Sequence, residues 1–167
     1  MIVFELFHIA IKTADLEATV NFYTKVVGLK EFDRPKFKFP GAWLGVPGPT
    51  GKPIIHIYAG EPALAGGDSV AVGTAAIDHV SLSAVGYHDV LANVKKYGVD
   101  WRENEVPGGS IWQFFIYDPN GVLLEFTFDG TREEGEKPDM SPGRAYRAGE
   151  SFFNPENYNA LTATYCK

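Results

Sequence analysis

Apolar runs broken at single positions by polar residues recur along the first three quarters of the chain and predict short β-strands. In the first half, four runs of this kind lie around one helical pattern. The helix begins at the capping residue Asp15 and runs to about Val27, and Gly28 ends it. The predicted strands are Phe7–Ile11, Leu29–Asp33, Ala42–Val46 and Pro53–Tyr58. The first half is therefore predicted to fold in the order β-α-β-β-β.

The same pattern returns after Glu61–Ala75, a segment rich in Gly, Ala and Pro that is typical of a linker. A helix is predicted at Tyr87–Tyr97, with Gly98 as its end. The predicted strands around it are Ile77–Leu82, Asp100–Glu105, Ile111–Tyr117 and Val122–Phe128. The turn at residues 118–121, Asp-Pro-Asn-Gly, favours a hairpin between the last two strands.

Aligning the two halves places polar residues of the strands at matching positions. His8 aligns with His79 at an offset of 71, and His56 lies near Glu125 at an offset of 69. A duplicated unit explains both offsets. The predicted fold class is α+β, with two tandem βαβββ modules, at about residues 4–60 and 76–128, that form a half-open mixed sheet around a central cavity.

The paired modules make one predicted domain, residues 1–128. Residues 129–167 lack the strand and helix pattern of the modules. Gly130–Gly149 is charged and rich in Gly and Pro, and scattered aromatic residues follow it. This composition is compatible with a disordered tail. It is equally compatible with an arm that packs on the domain, on a partner subunit or at the mouth of the site. The aromatic residues favour the arm, because disordered segments contain few of them.

Composition narrows the classes of function. The chain has 167 residues, a net charge of −6 and no basic run, which argues against nucleic acid or an anionic membrane as a partner. The chain contains no run of about 18 apolar residues, so no membrane span is predicted. The N-terminal apolar stretch is too short for a signal peptide. Cys166 is the single cysteine, so no intrachain disulfide can form. A cytoplasmic protein is expected.

Glu125 is the most unusual polar residue, because its neighbours predict a buried strand. An unpaired carboxylate there would cost several kcal/mol, so it needs a partner. If the two modules pack with pseudo-twofold symmetry, His8, His56, His79 and Glu125 converge on one cavity, since alternate residues of a strand share a face. Two His and one Glu suit non-haem Fe(II) or another catalytic divalent ion, which makes the predicted cavity a metal site.

Three segments, Phe7–Ile11, Ile77–Leu82 and Tyr117–Glu125, closely resemble the vicinal oxygen chelate superfamily. This superfamily includes glyoxalase I, type I extradiol dioxygenases, methylmalonyl-CoA epimerase and the bleomycin- and fosfomycin-resistance proteins. The resemblance covers roughly residues 4–128, and the sequence Asp-Pro-Asn-Gly followed by Glu125 is its most specific part. It implies that His8, His79 and Glu125 bind a divalent metal ion. Fe(II) is favoured, with Zn, Ni, Co and Mn as alternatives.

Position 56 discriminates among the activities of the superfamily. Glyoxalase I-like members usually have Glu there, whereas extradiol dioxygenases have a His that acts as the acid–base group. The leading prediction is therefore an Fe(II) extradiol-type dioxygenase that cleaves a small catecholic aromatic with O2 and uses His56 in catalysis. The residues expected to bind the substrate are Trp43, Tyr58, Gln113 and Phe115. Phe115 departs from the dioxygenase pattern, which usually has Tyr at this position, and Val106–Ser110 lacks the usual second His.

Two alternatives stay open. A glyoxalase I-like lyase or isomerase would use Zn, Ni or Co, with Glu125 as the base and His56 as a fourth ligand. Its glutathione substrate would need a cationic mouth, which Arg34, Lys36 and Lys38 could supply. A non-catalytic protein that binds a small molecule or a drug is the second alternative, although such members typically lose the ligands that this chain keeps. A homodimer is expected in each case.

Overall fold

The computed structural model describes residues 2–3, 5–159 and 161, and it divides the chain into two compact units. The first unit is Met1–Ala71 and the second is Val72–Lys167. Each unit contains one four-stranded sheet. Cys166 lies outside the described residues. Among the described residues, no helix has the length and apolar character that crossing a bilayer requires.

The first unit has four strands, β1 to β4, and two short helices, α1 and α2. Their bounds are β1 Ile9–Lys12, α1 Leu16–Asn21, β2 Lys30–Phe32, β3 Gly41–Gly45, β4 Pro53–Tyr58 and α2 Glu61–Leu64. Asp15 caps α1, because its Oδ1 accepts the Ala18 amide at 2.9 Å. The helix continues as a π-helical turn at Phe22–Val26, and Gly28 then adopts a φ of +86°. The predicted helix and its end are confirmed, whereas α2 lies inside the predicted linker, where Pro62 in its first turn favours a helix start.

The second unit repeats the layout with strands β5 to β8 and the helix α3. The bounds are β5 Val80–Ser83, α3 Tyr87–Tyr97, β6 Trp101–Glu105, β7 Ile111–Tyr117 and β8 Leu123–Asp129. The strand orders are β1-β4-β3-β2 and β5-β8-β7-β6, with the first strand of each unit parallel to its last. The α+β class and the duplicated βαβββ module are therefore confirmed.

Alternation along β4 and β8 separates a core face from a polar face in each sheet. Ile55 and Ile57 are at most 1% exposed, and His56 lies between them on the opposite face of β4. In the second unit, Tyr87 of α3 packs edge-on against Trp112, Phe114 and Phe128. Glu125 alternates with these core positions, so its side chain lies on the face opposite α3.

Residues 129–159, here called the arm, run back along the second unit. The Glu103 amide donates to the Arg144 carbonyl, and the Tyr146 amide donates to the Glu103 carbonyl, each at 2.8 Å. The buried Glu103 carboxylate accepts the amide of Asp139 at 2.7 Å and the indole of Trp101 at 2.8 Å, and it also accepts the hydroxyl of Tyr87. Burial and this carboxylate raise the pKa of Tyr87. The arm is thus fastened to β6 by backbone and side-chain bonds.

Candidate functional site

The polar face of the first unit has a row of three stacked rings. His56 on β4 stacks on His8 at a centroid distance of 3.9 Å and on Trp43 of β3 at 4.3 Å, with interplanar angles of 18° and 9°. The strand order explains the row, because β4 lies between β1 and β3 and His56 is paired with Ala10 and with Trp43. These residues, with the neighbouring Arg34, form the first half-site.

Two imidazole nitrogens of this row have no hydrogen-bond partner among the described residues. Within the described part of the chain, neither the buried Nδ1 of His8 nor the buried Nε2 of His56 has a hydrogen bond. Burial lowers the pKa of His56, and the charges of His8 and Arg34 lower it further. Buried nitrogens without partners destabilise a protein, so a ligand that accepts their lone pairs would relieve this cost.

Arg34 adds a cation to the first half-site. Its guanidinium carbon lies 4.7 Å from the ring centre of Phe37 and 4.8 Å from that of Phe39. Its Nη2 is buried and has no hydrogen-bond partner among the described residues. A Cβ at Gly41 would lie 3.2 Å from this Nη2 and 2.2 Å from the Ile57 carbonyl oxygen, so only glycine fits beside the guanidinium.

The second half-site is built around Glu125, which is 6% exposed. Its Oε1 accepts the hydroxyls of Ser81 at 2.7 Å and of Thr127 at 2.6 Å. Its Oε2 accepts the amide nitrogen of Gln113 at 2.8 Å and lies 3.3 Å from His79 Nε2. The partner that the sequence predicted for Glu125 was a metal ion, but the structure also supplies three protein donors. They fix the orientation of the carboxylate.

His79 is oriented by its neighbour in the chain. Its Nδ1 lies 2.7 Å from Asp78 Oδ1, and because a carboxylate only accepts, Nδ1 carries the proton. This hydrogen bond is the main cause of the lowered pKa of Asp78. The other nitrogen, Nε2, lies 3.3 Å from Glu125 Oε2. A carboxylate bonded to the far nitrogen is the usual support of a metal-binding imidazole.

The structure groups the predicted site residues by unit. His8, Trp43 and His56 lie together in the first unit, and Tyr58 is two residues along β4 from His56 on the same face. Separately, the second unit brings together His79, Gln113 and Glu125.

Phe115 also lies in the second unit, and it is 1% exposed because Tyr146 of the arm stacks on its ring. Neither unit alone, in its described residues, gathers three His, Cys, Asp or Glu side chains into a group that could hold an ion.

Four residues of the second half-site were missed in the sequence. Ser81 and Thr127 lie two positions after His79 and Glu125, so strand alternation could have indicated them. Asp78 directly precedes His79 and was equally visible as a carboxylate. Tyr146 carried no signal, because its contact with Phe115 depends on how the arm folds back.

Each half-site, taken by itself, has donor atoms of the kinds that bind divalent metal ions. In the described residues, the first has two buried imidazole nitrogens without hydrogen bonds, and the second has a buried, oriented carboxylate and an imidazole whose Nδ1 is bonded to Asp78. Nitrogen and oxygen donors of this kind suit Zn(II), Ni(II), Co(II) and Fe(II).

Comparison with known sequences identifies relatives across most of the chain. A lactoylglutathione lyase of Escherichia coli O157:H7 is 28% identical over 125 residues, which cover 72% of this chain and 89% of the relative. A lactoylglutathione lyase of Haemophilus influenzae is 29% identical over 139 residues, covering 78% of this chain and 97% of the relative. The Arabidopsis thaliana protein named Glyoxylase I 4 is 29% identical over 126 residues, covering 71% of this chain and 67% of the relative.

Solved structures share the fold at lower identity. The fosfomycin resistance protein FosX from Listeria monocytogenes superposes with a TM-score of 0.58 at 19% identity, covering 76% of this chain and 94% of FosX. A glyoxylase/bleomycin resistance protein/dioxygenase domain from Frankia sp. EAN1pec superposes with a TM-score of 0.57 at 21% identity, covering 80% of this chain and 96% of that domain. A model of the Glyoxalase/Bleomycin resistance protein/Dioxygenase superfamily matches residues 5–126. The chain belongs to this superfamily.

Proposed function

We propose that this protein is a glyoxalase I-like, metal-dependent lyase that isomerises the hemithioacetal of glutathione and a 2-oxoaldehyde. The observation that carries the proposal is the similarity to proteins named lactoylglutathione lyase, which spans 72% of the chain for the Escherichia coli protein and 78% for the Haemophilus influenzae protein. The retained His and Glu side chains of both half-sites support it.

This proposal replaces the leading prediction from sequence, the extradiol dioxygenase. That prediction rested on His56, but a His at this position equally suits a fourth metal ligand. The predicted binding of the aromatic substrate on Phe115 also has less support, because Tyr146 covers the ring of Phe115. Iron and O2 have no support beyond the broad superfamily, whereas the curated relatives favour the lyase.

We assign the metal to His8, His79 and Glu125, with His56 as a fourth ligand, and we favour Zn(II), Ni(II) or Co(II) over Fe(II). These residues would hold a divalent ion, which would supply Lewis-acid stabilisation of the negative charge that develops on the substrate. The buried His56 Nε2 supports the fourth position, because ligation would satisfy an atom that has no partner among the described residues.

Glu125 moves the proton in the proposed reaction. Its Oε2 takes the proton from the carbon that bears sulfur and returns it to the adjacent carbonyl carbon, while the hydroxyl proton passes from the oxygen of the first carbon to that of the second. The hemithioacetal thus becomes a 2-hydroxy thioester without any oxidant. Ser81 and Thr127 occupy Oε1, which leaves Oε2 as the oxygen that faces the reaction. The donor from Gln113 steadies Oε2 at 2.8 Å.

The first unit would bind the rest of the substrate. Glutathione carries carboxylates, and the Arg34 guanidinium supplies a cation that lies against aromatic rings. Trp43 and Tyr58 would form the apolar wall, in agreement with their predicted role in substrate binding.

The test is an activity assay on metal-free protein reloaded separately with Ni(II), Zn(II), Co(II) and Fe(II). Each form receives methylglyoxal with glutathione, and formation of the thioester is followed. Parallel samples with Fe(II) receive catechols, and oxygen uptake is followed. Thioester formation with Ni(II), Zn(II) or Co(II), and no oxygen uptake, is expected. Oxygen uptake with ring cleavage, and no thioester, would contradict the lyase and favour the dioxygenase interpretation.

A further inference from the structure

Tyr146 of the arm lies on the same sheet face as the second half-site. Phe115 is paired with Glu125 across β7 and β8, so both side chains are on one face. The Tyr146 ring stacks on Phe115 at a centroid distance of 3.7 Å and an interplanar angle of 9°. Phe115 in turn meets the His79 ring edge-on at 6.0 Å. Tyr146 is therefore one ring away from a proposed metal ligand.

The Tyr146 hydroxyl also reaches the group that orients His79. It donates to Asp78 Oδ1 at 3.2 Å, the oxygen that accepts His79 Nδ1. Burial and the Asp78 charge raise the pKa of Tyr146 to about 12, so the hydroxyl keeps its proton at neutral pH. The Asp78 side chain is 58% exposed, and a carboxylate this exposed can turn to water unless a second donor restrains it.

The position of Tyr146 is fixed by the backbone on either side of it. Ala145 forms a bridge with Glu103 of β6, and the backbone bonds of Arg144 and Tyr146 to Glu103 flank this bridge. The Arg144 guanidinium carbon lies 3.7 Å from the ring centre of Trp101. The arm thus adds a short paired segment to the edge of the sheet at β6. This pairing determines where along the sheet the Tyr146 ring contacts Phe115.

We propose that Tyr146 is a positioning residue of the second half-site, which holds Asp78 with its hydroxyl and covers Phe115 with its ring, and so fixes the tautomer and orientation of His79. Tyr146 lies beyond residues 5–126, the part that the superfamily model matches. The arm of this chain therefore completes a half-site whose other residues come from the duplicated modules. The consequence for metal binding rests on the proposed function, whereas the orientation of His79 does not.

The test uses full-length protein with Tyr146→Phe, which removes the hydroxyl and keeps the ring stack. Asp78→Asn is the positive comparison. Tyr158→Phe is the matched control, because it removes another arm hydroxyl, one that donates to the Tyr117 carbonyl. Nitrogen-15 NMR of the metal-free proteins reports the His79 tautomer, with the signal assigned by its loss in His79→Gln. Competition titration gives the Ni(II) affinity of each protein.

We expect wild-type His79 to hold its proton on Nδ1, and Tyr146→Phe to show a mixture of tautomers. Ni(II) affinity should fall about 3- to 10-fold in Tyr146→Phe and about 10- to 100-fold in Asp78→Asn, the range typical of residues that support a metal ligand. Tyr158→Phe should match wild type in both measurements.

An unchanged His79 tautomer in Tyr146→Phe overturns the proposal, whatever the affinity. If wild-type protein fails to bind Ni(II), the proposed metal-dependent lyase is wrong, and the tautomer comparison still decides the role of Tyr146.

Discussion

The first half-site leaves imidazole nitrogens without hydrogen bonds in the described structure, whereas the second holds its carboxylate and its imidazole with donors and acceptors from several strands. The two sheets have the same strand order and the same pairing register. Ala10 is opposite His56 in the first unit, as Ser81 is opposite Glu125 in the second. An alanine has no hydroxyl to donate, so a single side chain accounts for part of the difference.

The remaining difference follows the same register. Trp43 is paired with His56, as Phe115 is paired with Glu125, so each half-site has one aromatic residue at this place. In the first unit that ring stacks directly on His56, and in the second a ring of the arm covers it. Duplication thus fixed where polar residues can lie. The neighbours then made one half-site a hydrogen-bonded carboxylate–imidazole pair and the other a row of stacked rings beside a cation.

Glu125→Ala should have the largest effect, because it removes the only proposed carboxylate ligand and the proposed base. Metal retention should be lost, and turnover should fall by about 10³-fold or more, as expected when several kcal/mol of transition-state stabilisation disappear. Metal content after dialysis and the lyase assay check this. Glu125→Gln is the control for folding, since it keeps an acceptor for Ser81 and Thr127. Full metal retention in Glu125→Ala would exclude Glu125 as a ligand.

His56→Ala should weaken Ni(II) binding by about 10²-fold, because the proposed function makes His56 a ligand. The dioxygenase interpretation gives a different result, in which the metal stays and only turnover is lost. Competition titration separates the two outcomes. Tyr58→Phe, two residues along the same strand, is the matched control and should bind Ni(II) as wild type does.

Ser81→Ala and Thr127→Val should each lower Ni(II) affinity about 10-fold, since both residues orient the Glu125 carboxylate. Ala10→Ser is the matched change in the first unit and should cause no loss. Titration of the three variants under one set of conditions gives the comparison. Equal affinities in all of them would mean that the hydrogen bonds to Glu125 do not assist metal binding.

Arg34→Met should have the smallest effect, a rise of about 5-fold in KM for the glutathione hemithioacetal with little change in kcat. A charge-assisted hydrogen bond at a half-exposed site contributes about 1 kcal/mol to substrate binding. Lys38→Met removes an exposed cation that the sequence also assigned to the mouth, and because solvent screens an exposed charge, KM should rise less than in Arg34→Met. Steady-state kinetics measure both variants. A fall in kcat with unchanged KM would contradict a role for Arg34 in substrate binding.

Local patterns were sufficient to predict most of the fold and the strands that contain His56 and Glu125. Strand periodicity placed His56 and Glu125 on the faces opposite the core, as the structure has them. The hairpin turn was also readable, since Asp118 accepts the amides of Asn120 and Val122 and Gly121 has a φ of +78°. Short-range rules decide all of these features.

Features that depend on distant partners were not predictable. The first strands of the two units begin at Ile9 and Val80, two and three residues later than predicted, because pairing with β4 and β8 begins there. The sequence gives no sign that Glu103 differs from other residues of β6, but its carboxylate is buried and accepts donors from α3, from the arm and from Trp101 of its own strand. The stack of Tyr146 on Phe115 depends in the same way on the path of the arm.

The central claim is that His56 binds the metal ion, because this distinguishes the proposed lyase from the dioxygenase. X-ray absorption spectroscopy of the Ni(II)-loaded protein measures it most directly, through the scattering of imidazole rings around the ion. The account predicts a shell of nitrogen and oxygen with three imidazoles in wild type and two in His56→Ala. Two imidazoles in both proteins would contradict it and return His56 to the role of an acid–base group.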